Sequence, residues 1–170
     1  MNLRLIIINI IRWLLLVFVQ IFLLRNMSIY NLPSPFLYVL FILLLPFEIP
    51  NLLLYTLAFT TGLTLDAFYD TLGVHASACV VMAFIRILFI NISLNRDSVD
   101  ETEPTLGNMG FTWFSLYSLI TIVCHHLFLF FLEAFKLSSF GTTLGRAMMS
   151  VIFTLFLVLL VEFIFQRKKT

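Results

Sequence analysis

Apolar runs long enough to cross a bilayer occupy nearly all of this chain. The stretches 5–24, 72–92, 111–135 and 142–165 each hold 20 or more residues, dominated by Leu, Ile, Phe and Val. A helix rises about 1.5 Å per residue, so ~20 residues match a hydrocarbon core ~30 Å thick. Inside lipid the backbone must satisfy its own hydrogen bonds, and a helix does so within one segment. Only 11% of the residues are charged against 61% hydrophobic, too little polar surface for a water-soluble monomer. The expected fold class is an all-α integral membrane protein.

One polytopic domain over 1–170 is expected, because the longest polar segment, 93–110, is too short to fold alone. The net charge of +1 argues against nucleic acid, which demands a concentrated basic face. Arg4 precedes an apolar run with no small-residue processing site before Arg25, so 5–24 reads as a retained anchor and first span. Cys79 and Cys124 both lie in apolar runs. Two thiols cannot build a thiolate zinc site, and they read as small packing residues.

The region 35–66 is the difficult one. As a single helix it would extend roughly 45 Å, and Pro46, Glu48 and Pro50 sit near its middle. Proline lacks an amide hydrogen and a carboxylate is costly in lipid. Two short helices, about 34–47 and 49–65, joined by a tight turn are expected instead. This gives a six-helix transmembrane bundle with spans at about 5–24, 34–47, 49–65, 72–92, 111–135 and 142–165. Arg4 and the tail Arg167-Lys168-Lys169 place both ends in the cytoplasm by the positive-inside rule. Arg86 and Arg96 then fall toward the inner side, and Arg25, Lys136 and Arg146 toward the outer. The acidic loop at 97–103, within the cytoplasmic connection 93–110, reads as a solvated linker or a docking strip for a basic partner.

Polar groups within spans are expensive, so their placement carries information. Asn9, Arg12 and Gln20 fall on one arc of the first span and should face other helices, either for internal hydrogen bonds or as a contact line for another membrane protein. Ser115, Ser118, His125 and Glu133 form a similar face. His125 and His126 diverge by ~100° on a helix and do not converge on one ion; no metal or other cofactor is expected. Gly141 and Gly145, four apart, predict close helix packing, either within the bundle or against a partner helix, next to Arg146, whose long side chain can reach water.

The most specific local sequence is Gly62-x-x-x-Asp66, then Tyr69-Asp70-x-Leu72-Gly73-x-His75, running on through Ala83 to Arg86. It reads as a helix end, a compact turn and a helix start. Asp70 or Thr71 is expected to cap the following helix, Gly73 to permit close backbone approach, and Asp66 to pair with a basic residue such as Arg146. With the upstream Pro35-x-x-Tyr38 and the short Leu-rich run ending at Pro46, this segment resembles the bacterial rod shape-determining MreD family. The long fifth and sixth spans match only in character.

The resemblance implies a non-enzymatic scaffold of the cell-elongation complex in the bacterial cytoplasmic membrane, supporting cell shape and lateral peptidoglycan synthesis. It implies an MreC-like partner, and through it RodA with its transpeptidase and, indirectly, MreB filaments. It also implies an architecture similar to the S component of energy-coupling-factor transporters, which leaves a substrate-binding S-like subunit of a vitamin transporter as the alternative. An enzyme is not expected: Asp66, Asp70 and His75 lack a neighbouring nucleophile.

Overall fold

In the computed structural model of the chain, the described residues are 3–25, 34–94, 103–134 and 140–165. They contain no strand, and seven helices. These are α1 (Leu3–Val19), which runs on through a π-helical turn at Gln20–Leu24, α2 (Val39–Leu43), α3 (Asn51–Tyr69), α4 (Val74–Ser93), α5 (Leu106–Met109), α6 (Phe111–Ala134) and α7 (Phe140–Phe165). Leu3–Leu24, α3, α4, α6 and α7, of 19 to 26 residues, are long and apolar enough to cross a membrane. Large side chains such as Leu14, Phe18, Ile152, Phe156 and Phe163 point outward from the bundle. A helix apolar on its outer face as well as its inner one is suited to lipid rather than water.

α3 packs on α4, α4 on α6 and α6 on α7, forming a consecutive arc. α1 joins through the segment that contains α2. Arg25 at the end of α1 reaches Asp70 at the end of α3, 3.6 Å away. Farther toward the start of α1, Arg12 near its middle meets Glu103 at 3.2 Å, and Glu162 near the end of α7 accepts from the Leu106 amide at 2.9 Å. The start of α1 and the end of α7 therefore lie at the same end of the bundle.

The expected helix over 34–47 differs most from the structure. Only Val39–Leu43 is α-helical, and every residue from Pro35 through Pro46 is buried. Five spans, rather than six, reach membrane length. Local turns pair the amides of Val39, Leu40, Phe41 and Leu44 with the carbonyls of Phe36, Leu37, Tyr38 and Leu40, but a helix this short leaves most of the segment's later carbonyls, and the amide that leads into it, without partners of its own. Away from water such groups must be paired by something else. The surrounding spans supply the partners. Gln20 Nε2 donates to the Pro35 carbonyl at 3.1 Å, and the Ser150 hydroxyl donates to that of Ser34. The Phe36 amide donates to Thr154 Oγ1 at 2.9 Å. Tyr117 Oη donates to the Leu43 carbonyl at 2.9 Å, and Arg12 Nη1 to that of Leu44 at 3.2 Å. Arg86 Nη2 donates to the carbonyls of Leu45 and, at 3.2 Å, Pro46. The bundle is built around this buried segment.

Other boundaries differ by a few residues. α3 starts after Pro50 and continues past Asp66 to Tyr69, and α4 begins at Val74. Residues 95–102, which hold most of the acidic loop and Arg96, together with Lys136 and the basic tail at 167–169, lie outside the described residues.

Candidate functional site

The segment from Gly62 to His75 folds into the junction between α3 and α4. α3 closes on Asp70 in the left-handed region at φ 56°, and Gly73 at φ 79° starts α4. Asp66, 3% exposed, turns inward beneath this turn. Its Oδ1 accepts from Thr71 Oγ1 at 2.5 Å, the His75 amide at 2.9 Å and His75 Nδ1 at 3.1 Å. Its Oδ2 accepts from the Ala76 amide at 2.9 Å. A carboxylate at the free amides of a helix start also meets the positive end of the helix dipole. These contacts assign the proton of a neutral His75 to Nδ1. The rings of Tyr69, Phe36 and Tyr38 surround it at centroid distances of 4.9, 5.8 and 6.2 Å.

Three expectations are corrected here. The residue capping α4 is Asp66, reaching in from the preceding helix, rather than Asp70 or Thr71. Asp66 pairs with His75, whereas Arg146 lies over the Phe130 ring at 5.7 Å. Close approach belongs to Gly62, where a Cβ would sit 2.5 Å from the His75 carbonyl oxygen; Gly73 has open space around it and serves its positive φ. Within the described residues nothing lies within 4 Å of a Cβ built at Gly141 or Gly145, so of the two expected uses of this pair the one inside the bundle is not seen there.

Asn9, Arg12, Gln20, Ser118 and His125 of the polar stripes turn inward, toward the 34–47 segment and its neighbours. Asn9 Oδ1 accepts from Arg12 at 2.9 Å, and Gln20 Nε2 also donates to Tyr69 Oη at 2.9 Å. His125 Nε2 lies 2.9 Å from Tyr38 Oη. His126 uses Nε2 on Thr154 at 3.0 Å and Nδ1 on the Ile122 carbonyl at 2.9 Å. Ser118 is buried with them, Ser115 is half-buried and Glu133 is exposed. Cys79 is a buried thiol and Cys124 a half-buried one. Among the described residues no three His, Cys, Asp or Glu side chains form a metal-binding group.

A slot of about 600 Å³ lies between α1 and α3. Ile6, Asn9, Ile10 and Trp13 form one wall, and Leu53, Leu57, Thr60 and Thr64 the other. Phe41, Leu45, Pro46 and Ile49 form the floor. Both walls repeat at three- and four-residue intervals, the spacing of one helical face. α1 and α3 make no extensive contact of their own; Trp13 Nε1 bridges them by donating to Thr61 Oγ1 at 2.9 Å. The sequence signalled neither this slot nor the roles of Trp13, Tyr38 and Tyr117. Arg86 stood in the sequence as the end of the motif and as an inner-side charge, without a sign of the carbonyls it serves.

No protein-family model, no curated protein and no solved structure matches the chain.

Proposed function

We propose that the chain is a non-enzymatic membrane scaffold of the MreD kind, which organises the bacterial cell-elongation machinery through helix–helix contacts in the cytoplasmic membrane. The observation that carries this reading is the slot between α1 and α3. Its walls have the periodicity of helical faces, and both are formed by helices of membrane-spanning length. Ridges at three- and four-residue spacing receive the ridges of another helix. The occupant is the single span of an MreC-like protein, which connects the bundle to RodA and its transpeptidase and, at one remove, to MreB filaments.

The remaining architecture is consistent with that role. Arg12, Gln20, Arg86, Tyr117, Ser150 and Thr154 are engaged with backbone groups of the buried segment, which leaves helix adhesion as the main work of the outer surface. In the proposed topology the 34–47 segment counts as a short sixth crossing. It passes from the level of Gln20 to that of Arg12, a separation of about 12 Å along α1. Six crossings put both ends of the chain in the cytoplasm, in an arrangement similar to the S component of energy-coupling-factor transporters. That likeness concerns architecture alone, since one fold hosts unrelated functions. The slot wall offers three polar side chains among apolar ones, which favours a helix over a polar vitamin.

Depletion of the protein in its host, followed by microscopy, tests the proposal. Rod-shaped cells should round up and recover on re-expression. Unchanged shape and unchanged lateral wall insertion would overturn it.

A further inference from the structure

Two adjacent histidines of α6 fasten the buried segment, and their partners fix where each proton sits. His126 Nδ1 stands 2.9 Å from the Ile122 carbonyl, which can only accept, so Nδ1 carries the hydrogen. Nε2 of the same ring then accepts from the Thr154 hydroxyl at 3.0 Å, and that oxygen takes the Phe36 amide at 2.9 Å. His125 Nδ1 faces His126 Nδ1 across 3.3 Å. It therefore bears no hydrogen, which leaves the one on Nε2 to be given to Tyr38 Oη at 2.9 Å. The segment is thus held at Phe36 and Tyr38 through two neutral rings.

A further proton has no place in this arrangement. On His125 it would enter at Nδ1 and set two N–H groups head to head. On His126 it would leave a charge on a fully buried ring with no anion against it, a costly state away from water. The titratable neighbours are Tyr38 from the segment, His75 and Cys79 from α4 and Cys124 from α6 itself. Asp66 of α3 stands beyond His75, its oxygens occupied by Thr71, His75 and the Ala76 amide. Arg86 of α4 is turned to the Leu45 and Pro46 carbonyls. On α7 Arg146 lies over the Phe130 ring and Glu162 is bound to the Leu106 amide; α5 carries no charged residue. We infer that His125 and His126 are an acid-sensitive latch, in which release of the 34–47 segment frees two imidazoles to take up protons. The closed form binds neither proton and the open form up to two. Closure is therefore favoured above the pH at which a free imidazole charges, and is lost as pH falls below it. In the proposed topology Phe36 and Tyr38 belong to the outer end of the segment, which makes acidity outside the cell the signal.

Hydrogen exchange of the amides in 36–45 tests this, in the full chain in lipid nanodiscs and corrected for the intrinsic rate, because it reads the opening equilibrium at each pH. A free imidazole charges near pH ~6.5, and each one released below that value favours opening about tenfold per pH unit. Lowering the pH from about 7.5 to about 5.5 should raise opening about a hundredfold in the parent. The His125→Gln, His126→Asn double variant keeps a donor toward Tyr38 and one toward Ile122 without a group that titrates. Its response should be about tenfold or less, the most that His75 alone can add. A parent response below tenfold, or a double-variant response as large as the parent's, overturns the latch and leaves the scaffold reading untouched. Should the variant fail to accumulate, nitrogen NMR of the histidines in the parent decides. Hydrogen on Nδ1 of His126 and on Nε2 of His125 is expected in the closed form; charged rings in a segment that stays protected overturn the inference.

Discussion

Gly62 in α3 faces the backbone of Ala76 in α4 so closely that a Cβ would stand 2.5 Å from the Ala76 nitrogen. Helix pairs in membranes gain from such approach because dispersion replaces the hydrophobic drive between them. Gly62→Ala is expected to destabilise the protein by ~1–3 kcal/mol through overpacking. Gly145→Ala, at an open position, should change stability by less than ~0.5 kcal/mol. Thermal unfolding of the two purified variants in one detergent compares them directly; equal midpoints would contradict the assignment.

Asp66 holds α4 by accepting from two of its amides and from two side chains. Asp66→Asn places an amide group against an amide donor and loses charge-assisted bonds, at a cost of about 2 kcal/mol. Gly73→Ala, at φ 79°, costs about 1–2 kcal/mol from left-handed strain although its surroundings are open. Limited proteolysis at the α3–α4 turn should be faster in both variants. A turn as resistant as the parent would argue against both roles.

Much of the bundle was legible in its sequence, for reasons that lipid makes plain. The runs at 5–24, 72–92, 111–135 and 142–165 correspond to long helices because a bilayer tolerates few other structures. The 34–47 segment was less legible. Hydrophobicity marks burial but not whether lipid or protein does the burying, and the partners of its carbonyls come from Arg12, Arg86 and Tyr117, 32 to 74 residues away in the chain. The Gly62–Asp66–His75 grouping was visible as a motif, yet Asp66 as the α4 cap required knowing that α3 continues to Tyr69. Gly141 and Gly145 have a packing spacing that the described chain does not use.

Arg86 is 2% exposed and its guanidinium serves the Leu45 and Pro46 carbonyls. Arg86→Met keeps much of the volume but strands the buried Leu45 carbonyl, at a cost of ~1–3 kcal/mol, and leaves the Pro46 carbonyl with the Ile49 amide alone at 3.4 Å. The variant should unfold several degrees earlier, or fail to accumulate in the membrane. Arg86→Lys, with one ammonium in reach, should fall between. Full stability of the methionine variant would show that these carbonyls find other partners.

Tyr38 and His125 form a bond between the buried segment and α6, 2.9 Å long. A double-mutant cycle with Tyr38→Phe and His125→Leu should give a coupling of about 1 kcal/mol, in the range for contacting residues. Additive effects within ~0.3 kcal/mol would remove this link from the account.

Obstruction of the slot tests the central claim most directly. Ile10→Trp combined with Leu57→Trp fills the space between α1 and α3 while leaving the buried hydrogen bonds in place. Affinity purification of the tagged chain in mild detergent should recover a single-span, MreC-like protein with the parent. The filled variant, present at equal level and with an unchanged unfolding midpoint, should recover at least tenfold less. Equal recovery of that partner by both, or its absence from the parent preparation, would contradict a scaffold that works through this groove.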